Sequence, residues 1–352
     1  MVSRRRTSAM KRPATPRRLT VTATSAPISI LPTEVDLRVD LGRGLILANP
    51  IMVAAGSFGY GVEYVEAVDI DRLGGIISRG TTLRARIGNP TPRMTEAPNG
   101  LLSSIGLQNP GVDAMIERYC PTWAAWRVPV LVNIGGGSVH DYVETVRRLD
   151  GVPGVAGIEL NLSCPNAGGG GLLFALDAAA AGGVTAAVRA ATDLPLLVKL
   201  SPNVSDIRPI ARAVAEAGAD ALSAINTLSG MAVAPDRRRP LLGTVYGGLS
   251  GPALKPVALR IVYETVQAVR IPVVAAGGVS ELADVLDYLA VGAVAVQVGT
   301  AVLADPSLPV RLVDELASEC GRRGLASYRV LVGTALPARP GQPSIKGVEY
   351  RP

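Results

Sequence analysis

The sequence predicts an α/β fold: a single (β/α)8 TIM barrel with an N-terminal β-hairpin and a disordered basic N-terminal tail. Three observations carry this. From residue 50 onward one pattern recurs, a short β-branched run, then a Gly/Asn/Ser-rich loop, then an Ala-rich amphipathic stretch. Eight such units occupy about 270 residues, the size of one barrel. Most of the short runs are continuously apolar rather than alternating, as expected of parallel strands covered on both faces. A doubly wound sheet is the competitor, but it rarely needs eight evenly spaced units.

The elements follow in order. Val35–Leu41 and Leu45–Leu47, around Gly42-Arg43-Gly44, read as a hairpin able to plug the barrel floor. The eight strands are Ile51–Ala54, Gly75–Ser78, Val128–Asn133, Ile158–Asn161, Leu196–Leu200, Ala221–Ile225, Pro272–Ala276 and Ala293–Val298. Between them, Ile207–Ala217 and Pro256–Val269 carry helical spacing, and Asp206 and Ser280 stand where N-caps belong. Two loops, 79–111 and 227–251, are longer than a barrel needs; loops that follow strands lie on the catalytic face, and long ones usually work there. The chain divides into a tail (1–27), the barrel (28–330) and a C-terminal extension of unknown role (331–352).

Composition narrows the class. Of 352 residues, 48 % are hydrophobic and 18 % charged, which excludes wholesale disorder, and with 4 % aromatics the core must be aliphatic. The best uncharged stretch, Tyr288–Ala304, is too short and interrupted to span a bilayer. The net charge of +6 belongs to the tail: seven basic residues precede the first acid, Glu34, leaving 28 basic against 29 acidic residues. The body therefore offers no case for nucleic-acid binding. Residues 1–27 lack the apolar core of a secretory signal; an organelle transit peptide, a disordered tail and a misassigned start all remain open for them. Cys120, Cys164 and Cys320 are too far apart for a disulfide framework or a CxxC pair, which points to a reducing, cytoplasmic setting. One histidine, His140, leaves no multi-histidine metal site. His140 reads as a surface residue, Arg237–Arg239 as a solvated turn, Trp123 and Trp126 as core or interface, and Cys120 and Cys320 as inert.

Polar residues ending the apolar strands mark a site. Asn133, Asn161, Lys199 and Asn226 would converge on one mouth, where leaving them without a bound polar group is costly. Five motifs occur there in one order: Ile105-Gly106-Leu107-Gln108-Asn109-Pro110-Gly111, Asn161-Leu162-Ser163-Cys164-Pro165-Asn166, Lys199-Leu200-Ser201-Pro202-Asn203, Ile225-Asn226-Thr227 and Gly247-Gly248-Leu249-Ser250-Gly251-Pro252. Together they resemble the class 1 dihydroorotate dehydrogenases, closest to the class 1B, NAD-linked branch, over roughly residues 35–330. NLSCPN-like strings also occur in dihydropyrimidine dehydrogenases, so the ordered set carries the resemblance rather than any one motif.

The resemblance implies a chemistry. Oxidising a saturated C–C bond beside a carbonyl takes a base for the proton and an acceptor for the hydride, and no side chain accepts hydride. It implies FMN, with its phosphate on the backbone N–H groups of Gly277-Gly278 and Gly299-Thr300, offered at helix starts after strands seven and eight. Lys199 would face the flavin edge where charge develops, Ala54-Ala55-Gly56 would pack on the ring, and Asn133 would contact it. Arg79, Gly80, Asn161, Ile225 and Gly251 complete the implied cofactor contacts. Cys164 is the implied base, its ordinary thiol pKa of about 8.5 lying near operating pH. Asn161, Asn166, Asn226 and Thr227 would bind the dihydropyrimidine, with Ile105, Gly106 and Leu107 alongside, and Gly168–Gly171 read as a lid hinge or a floppy loop. The branch further implies a homodimer and a partner subunit carrying FAD and an iron–sulfur cluster that passes electrons to NAD. This chain has no cysteine cluster to hold one itself.

Two positions depart from the family. Arg79 stands where the pattern has lysine, and Ser103 where it has asparagine. The guanidinium could reach a substrate carboxylate that the shorter Ser103 cannot, leaving dihydroorotate as substrate. The pair is also compatible with a substituted dihydropyrimidine in a specialised pathway, or with a flavin-binding paralogue without turnover.

Overall fold

The computed structural model describes residues 30–163, 173–236 and 238–337. The basic tail, Cys164, Asn166, Gly168–Gly171 and Arg237 lie outside these residues.

The described chain opens with an antiparallel hairpin, β1 (Val39–Asp40) against β2 (Ile46–Leu47). Leu41 and Leu47 are fully buried. At the hairpin tip Arg43 Nε donates to Asp220 Oδ1 at 3.1 Å, and Asp220 Oδ2 accepts the Leu196 N–H at 2.9 Å. Asp220 and Leu196 stand where two barrel strands begin, so the hairpin closes the floor, away from the loops that follow the strands.

Beyond it come β3 (Ile51–Val53), β4 (Gly75–Ile77), β5 (Met94–Ala97), β6 (Gly100–Ser103), α1 (Val112–Trp123), β7 (Val130–Ile134), α2 (Val139–Leu149) and β8 (Gly157–Asn161). After them run α3 (Leu173–Leu176), α4 (Ala178–Arg189), β9 (Leu196–Leu200), α5 (Arg208–Glu216), β10 (Ala221–Ala224), β11 (Leu228–Met231) and β12 (Tyr246–Ser250). The last are α6 (Lys255–Ala268), β13 (Val273–Ala276), α7 (Leu282–Ala290), β14 (Ala295–Val298) and α8 (Leu308–Arg322). Strands β3, β4, β7, β8, β9, β10, β13 and β14 pair in parallel in that order, and β14 returns to β3 to close the barrel. All their residues are buried, which is why the runs read as continuously apolar.

All eight sequence-derived strands are present. Ala54, Ser78 and Ile225 fall one residue past their strands, because there the backbone turns into the loops above the barrel. Ile207, not Asp206, is the N-cap of α5; Asp206, one residue ahead of it, accepts the Arg208 N–H at 3.0 Å. Ser280 is likewise not the cap of α7. Glu281 holds that position, and Asp284 Oδ2 takes the N–H groups of Ser280 and Glu281 at 2.7 and 3.1 Å.

The long loops hold structure that the strand count leaves out. β5 and β6 lie within the first and β11 and β12 within the second, and together they form one antiparallel sheet in the order β11-β12-β6-β5. Trp123 is buried in the core with its Nε1 donating to Tyr60 O at 2.9 Å, and Trp126 is half-buried. His140, Arg238 and Arg239 are exposed. Cys120 and Cys320 are buried free thiols; burial pushes Cys120 up to about 11 and raises Cys320 as well. Among the described residues no helix is long and apolar enough to cross a membrane.

Candidate active site

A pocket of about 370 Å³ opens where the barrel strands end, beneath the sheet formed by the two long loops. Every site residue expected from the sequence and lying within the described chain lines it. Ala54, Ala55 and Gly56 follow β3, and Arg79 and Gly80 follow β4. Ser103, Ile105, Gly106 and Leu107 come from the end of β6 and the loop beyond. Asn133, Asn161 and Lys199 project from β7, β8 and β9, and Ile225, Asn226 and Thr227 follow β10. Gly251, Gly277, Gly278, Gly299 and Thr300 complete the rim. Cys164 and Asn166 lie outside the described residues. A second hollow of about 650 Å³ lies between α1 and α2, and its Arg148 is paired with Asp113 and Glu144.

One side of the pocket carries backbone donors without a protein acceptor. Among the described residues, the backbone N–H groups of Gly277, Gly278, Gly299 and Thr300 donate to no protein acceptor. The two glycines adopt φ of +134° and +72°, and a Cβ at Gly278 would stand 2.9 Å from Lys255 Cβ. Tyr288 holds the turn by donating its hydroxyl to Gly277 O at 2.5 Å. The helix placement expected here needs correcting. α7 begins only at Leu282, and Asp284 takes the N–H groups of Ser280 and Glu281 just ahead of it, so the free donors belong to the Gly-Gly turn before them. Those after β14 open a 3-10 turn, Thr300–Leu303, while α8 begins only at Leu308.

Opposite lies a buried polar network. Lys199 Nζ donates to Gln297 Oε1 at 3.0 Å and stands 3.5 Å from Glu159 Oε1. Glu159, on β8, accepts from Gln297 Nε2 at 2.8 Å and from Asn133 Nδ2 at 2.6 Å. Asn133 is its register partner on the neighbouring strand. Asn133 Oδ1 is buried with no hydrogen-bond partner among the described residues. Sequence reasoning missed Glu159 and Gln297. The signal was present, since a charged or amide side chain inside an apolar strand demands a partner just as one at its end does.

The asparagines on the third side serve the chain itself. Asn226 Nδ2 donates to Ser163 O at 2.5 Å and lies 3.3 Å from Asn161 Oδ1, which also accepts the Ser163 N–H at 3.1 Å. Asn226 Oδ1 accepts the Thr227 N–H at 2.8 Å. Both amides thus fix Ser163, the residue just before Cys164. Arg79 is half-buried, and its Nε donates to Gln108 O at 2.8 Å. Among the described residues no group of His, Cys, Asp and Glu side chains is arranged to hold a metal ion.

An eight-stranded parallel barrel with an anion cradle, a buried lysine and paired asparagines at its strand ends defines a barrel enzyme of the cofactor-binding kind. The sequence model for dihydroorotate dehydrogenase matches residues 40–320, and the chain belongs to that family. It is 48 % identical over 290 residues to a Geobacter sp. (strain M21) protein, "Dihydroorotate dehydrogenase B (NAD(+)), catalytic subunit", covering 82 % of this chain and 95 % of that relative. Proteins with the same description from Porphyromonas gingivalis (46 % over 296 residues; 84 % and 96 % covered) and Geobacter sulfurreducens (48 % over 298; 85 % and 97 %) are similar.

Proposed function

We propose that this chain is an FMN-dependent oxidoreductase that converts dihydroorotate to orotate in pyrimidine biosynthesis. The observation that carries the reading is the pairing, in one pocket, of a cradle of free backbone donors with a buried lysine and an unsatisfied amide oxygen. Those groups fit FMN. Gly277, Gly278, Gly299 and Thr300, with Gly251 beside them, would hold its phosphate. Lys199, Asn133 and Asn161 would meet the polar edge of the ring, and Ala54, Ala55, Gly56, Gly80 and Ile225 its face. When bound, FMN supplies the acceptor for the hydride that leaves C6 of the substrate.

The rest is the work of the chain. The Cys164 thiolate removes the C5 proton, and loss of that proton with the C6 hydride leaves the C5–C6 double bond of orotate. Asn161 and Asn226 fix the backbone ahead of Cys164, and Asn161 Nδ2, with Asn166 and Thr227, orients the ring amides. Arg79 takes the substrate carboxylate, held at the right reach by Gln108 O. Ser103, Ile105, Gly106 and Leu107 close over the substrate and exclude water. By its resemblance to the NAD-linked relatives, the chain works in the cytoplasm as a homodimer beside a subunit carrying FAD and an iron–sulfur cluster.

Anaerobic mixing of the purified yellow protein with dihydroorotate or with dihydrouracil, followed as flavin bleaching, tests this. Bleaching by dihydroorotate and not by dihydrouracil is expected. Preference for another dihydropyrimidine would move the substrate, and bleaching by neither would leave a flavin-binding paralogue.

A further inference from the structure

We propose that Glu159 is a positioning residue of this pocket, whose carboxylate orients the Asn133 amide and offsets the charge of Lys199. The inference rests on the flavin reading above and deepens it. Glu159 is fully buried in the middle of β8, where an unpaired carboxylate would be strongly destabilising. Its two oxygens reach three side chains from three other strands: Asn133 on β7, Lys199 on β9 and Gln297 on β14. All three of those residues line the pocket.

The direction of each bond is forced. A carboxylate only accepts, so Asn133 must turn its Nδ2 toward Glu159 at 2.6 Å. Its Oδ1 is thereby left over, buried without a partner, beside Gly80, where a Cβ would stand only 3.1 Å away. Asn133 lines the pocket, and this orphaned oxygen is the acceptor that the proposal assigns to an N–H of the bound heterocycle. Gln297 is fixed in the same way, giving Nε2 to Glu159 and Oε1 to Lys199. Lys199 favours negative charge arriving on the ring, and Glu159, 3.5 Å from its Nζ, opposes it. The carboxylate thus sets both the hydrogen-bond polarity and the net field of the site.

In Glu159→Gln the new amide cannot accept from both neighbours. Turning Gln297 would set its NH₂ against the Lys199 ammonium, so Asn133 turns instead and offers a donor where the acceptor was. Wild type, Glu159→Gln and Glu159→Asp are compared by FMN dissociation constant and by flavin midpoint potential. Glu159→Gln is expected to bind FMN at least about tenfold more weakly, the loss of one good hydrogen bond, and to have a higher potential. Glu159→Asp keeps the charge but draws it back by one methylene, so its potential should stay near wild type while FMN affinity falls. Wild-type affinity in Glu159→Asp would overturn the orienting role whether or not Glu159→Gln folds. An unchanged potential in a folded Glu159→Gln would overturn the charge role. Wild type that takes up no FMN would overturn the flavin reading and this inference together.

Discussion

Ser103 of β6 stands directly opposite Gly248 of β12 in an antiparallel pair. One of the two residues that depart from the family pattern is thus held on the pocket wall by the loop after the sixth barrel strand. Gly248 leaves no room for a side chain, because a Cβ there would lie 2.1 Å from Thr227 Oγ1. Gly248→Ala should therefore displace Thr227 or part the two strands, at about 1–3 kcal/mol. Lower Tm and a raised KM with FMN retained are expected. A normal KM would show that the sheet does not shape the substrate site.

The cradle predicts how FMN is lost. Gly278 has φ of +72°, and a Cβ there meets Lys255 and Gly251 at 2.9–3.0 Å. Gly278→Asp adds strain, bulk and negative charge where the phosphate would sit. The variant should purify colourless, against about one FMN per chain in wild type, by absorbance of the denatured protein. A yellow Gly278→Asp would place the phosphate elsewhere.

Cys164→Ala should keep FMN but reduce it with substrate at least about 10²-fold more slowly, the scale for removing a positioned base. Cys164→Ser should be nearly as slow, since a hydroxyl is a far weaker base. Wild-type reduction should quicken with rising pH until the thiol is ionised. Near-normal stopped-flow bleaching by the alanine variant would remove Cys164 from the mechanism.

Asp284 links the cradle to acid stability. Burial opposes its ionisation, but Lys255 together with the Ser280 N–H and hydroxyl outweighs burial, so its carboxyl sits below the ordinary 3.8. A folded value below the unfolded one adds stability above about pH 4 that is lost as pH falls through the folded value. Asp284→Asn should thus lower stability at neutral pH by about 1 kcal/mol, the scale on which a hydrogen bond to a charged group exceeds one to a neutral group. That gap should close in urea titrations as pH drops below 3.8. A constant gap across this range would assign Asp284 a role independent of its charge.

What could be read from the sequence follows from how burial writes itself there. The barrel strands were legible because both faces are covered, which leaves apolar runs such as Ile51–Val53 and Val273–Ala276. The four-stranded sheet was not. Its strands are four or five residues long, and β12 begins Tyr246-Gly247-Gly248, which reads as loop. Polar strand ends such as Asn161 and Lys199 stood out against apolar runs. Glu159 did not, because its meaning lies in partners 26 and 138 residues away in the chain, Asn133 and Gln297. The cap of α7 was missed by one residue because Asp284 reaches back to serve Ser280 and Glu281 alike.

Arg79 and Ser103 should decide substrate identity as a pair. Both line the pocket, and the bond from Arg79 Nε to Gln108 O leaves the far end of the guanidinium to reach a substrate carboxylate. Lysine cannot both hold Gln108 O and extend a planar fork, so Arg79→Lys alone should lose about 1.5–3 kcal/mol, or 10- to 100-fold in kcat/KM for dihydroorotate. Ser103→Asn alone should change little, because the guanidinium already occupies the carboxylate. Arg79→Lys/Ser103→Asn should recover most of the loss, since the added amide N–H₂ replaces the donor withdrawn with the guanidinium. The double-mutant cycle should therefore show a coupling of more than about 0.5 kcal/mol. If the natural substrate is another dihydropyrimidine, wild type will turn over dihydroorotate poorly and the double variant will gain on it. Strict additivity on whichever substrate works would mean that the two residues do not share a carboxylate and that compensation between them is wrong.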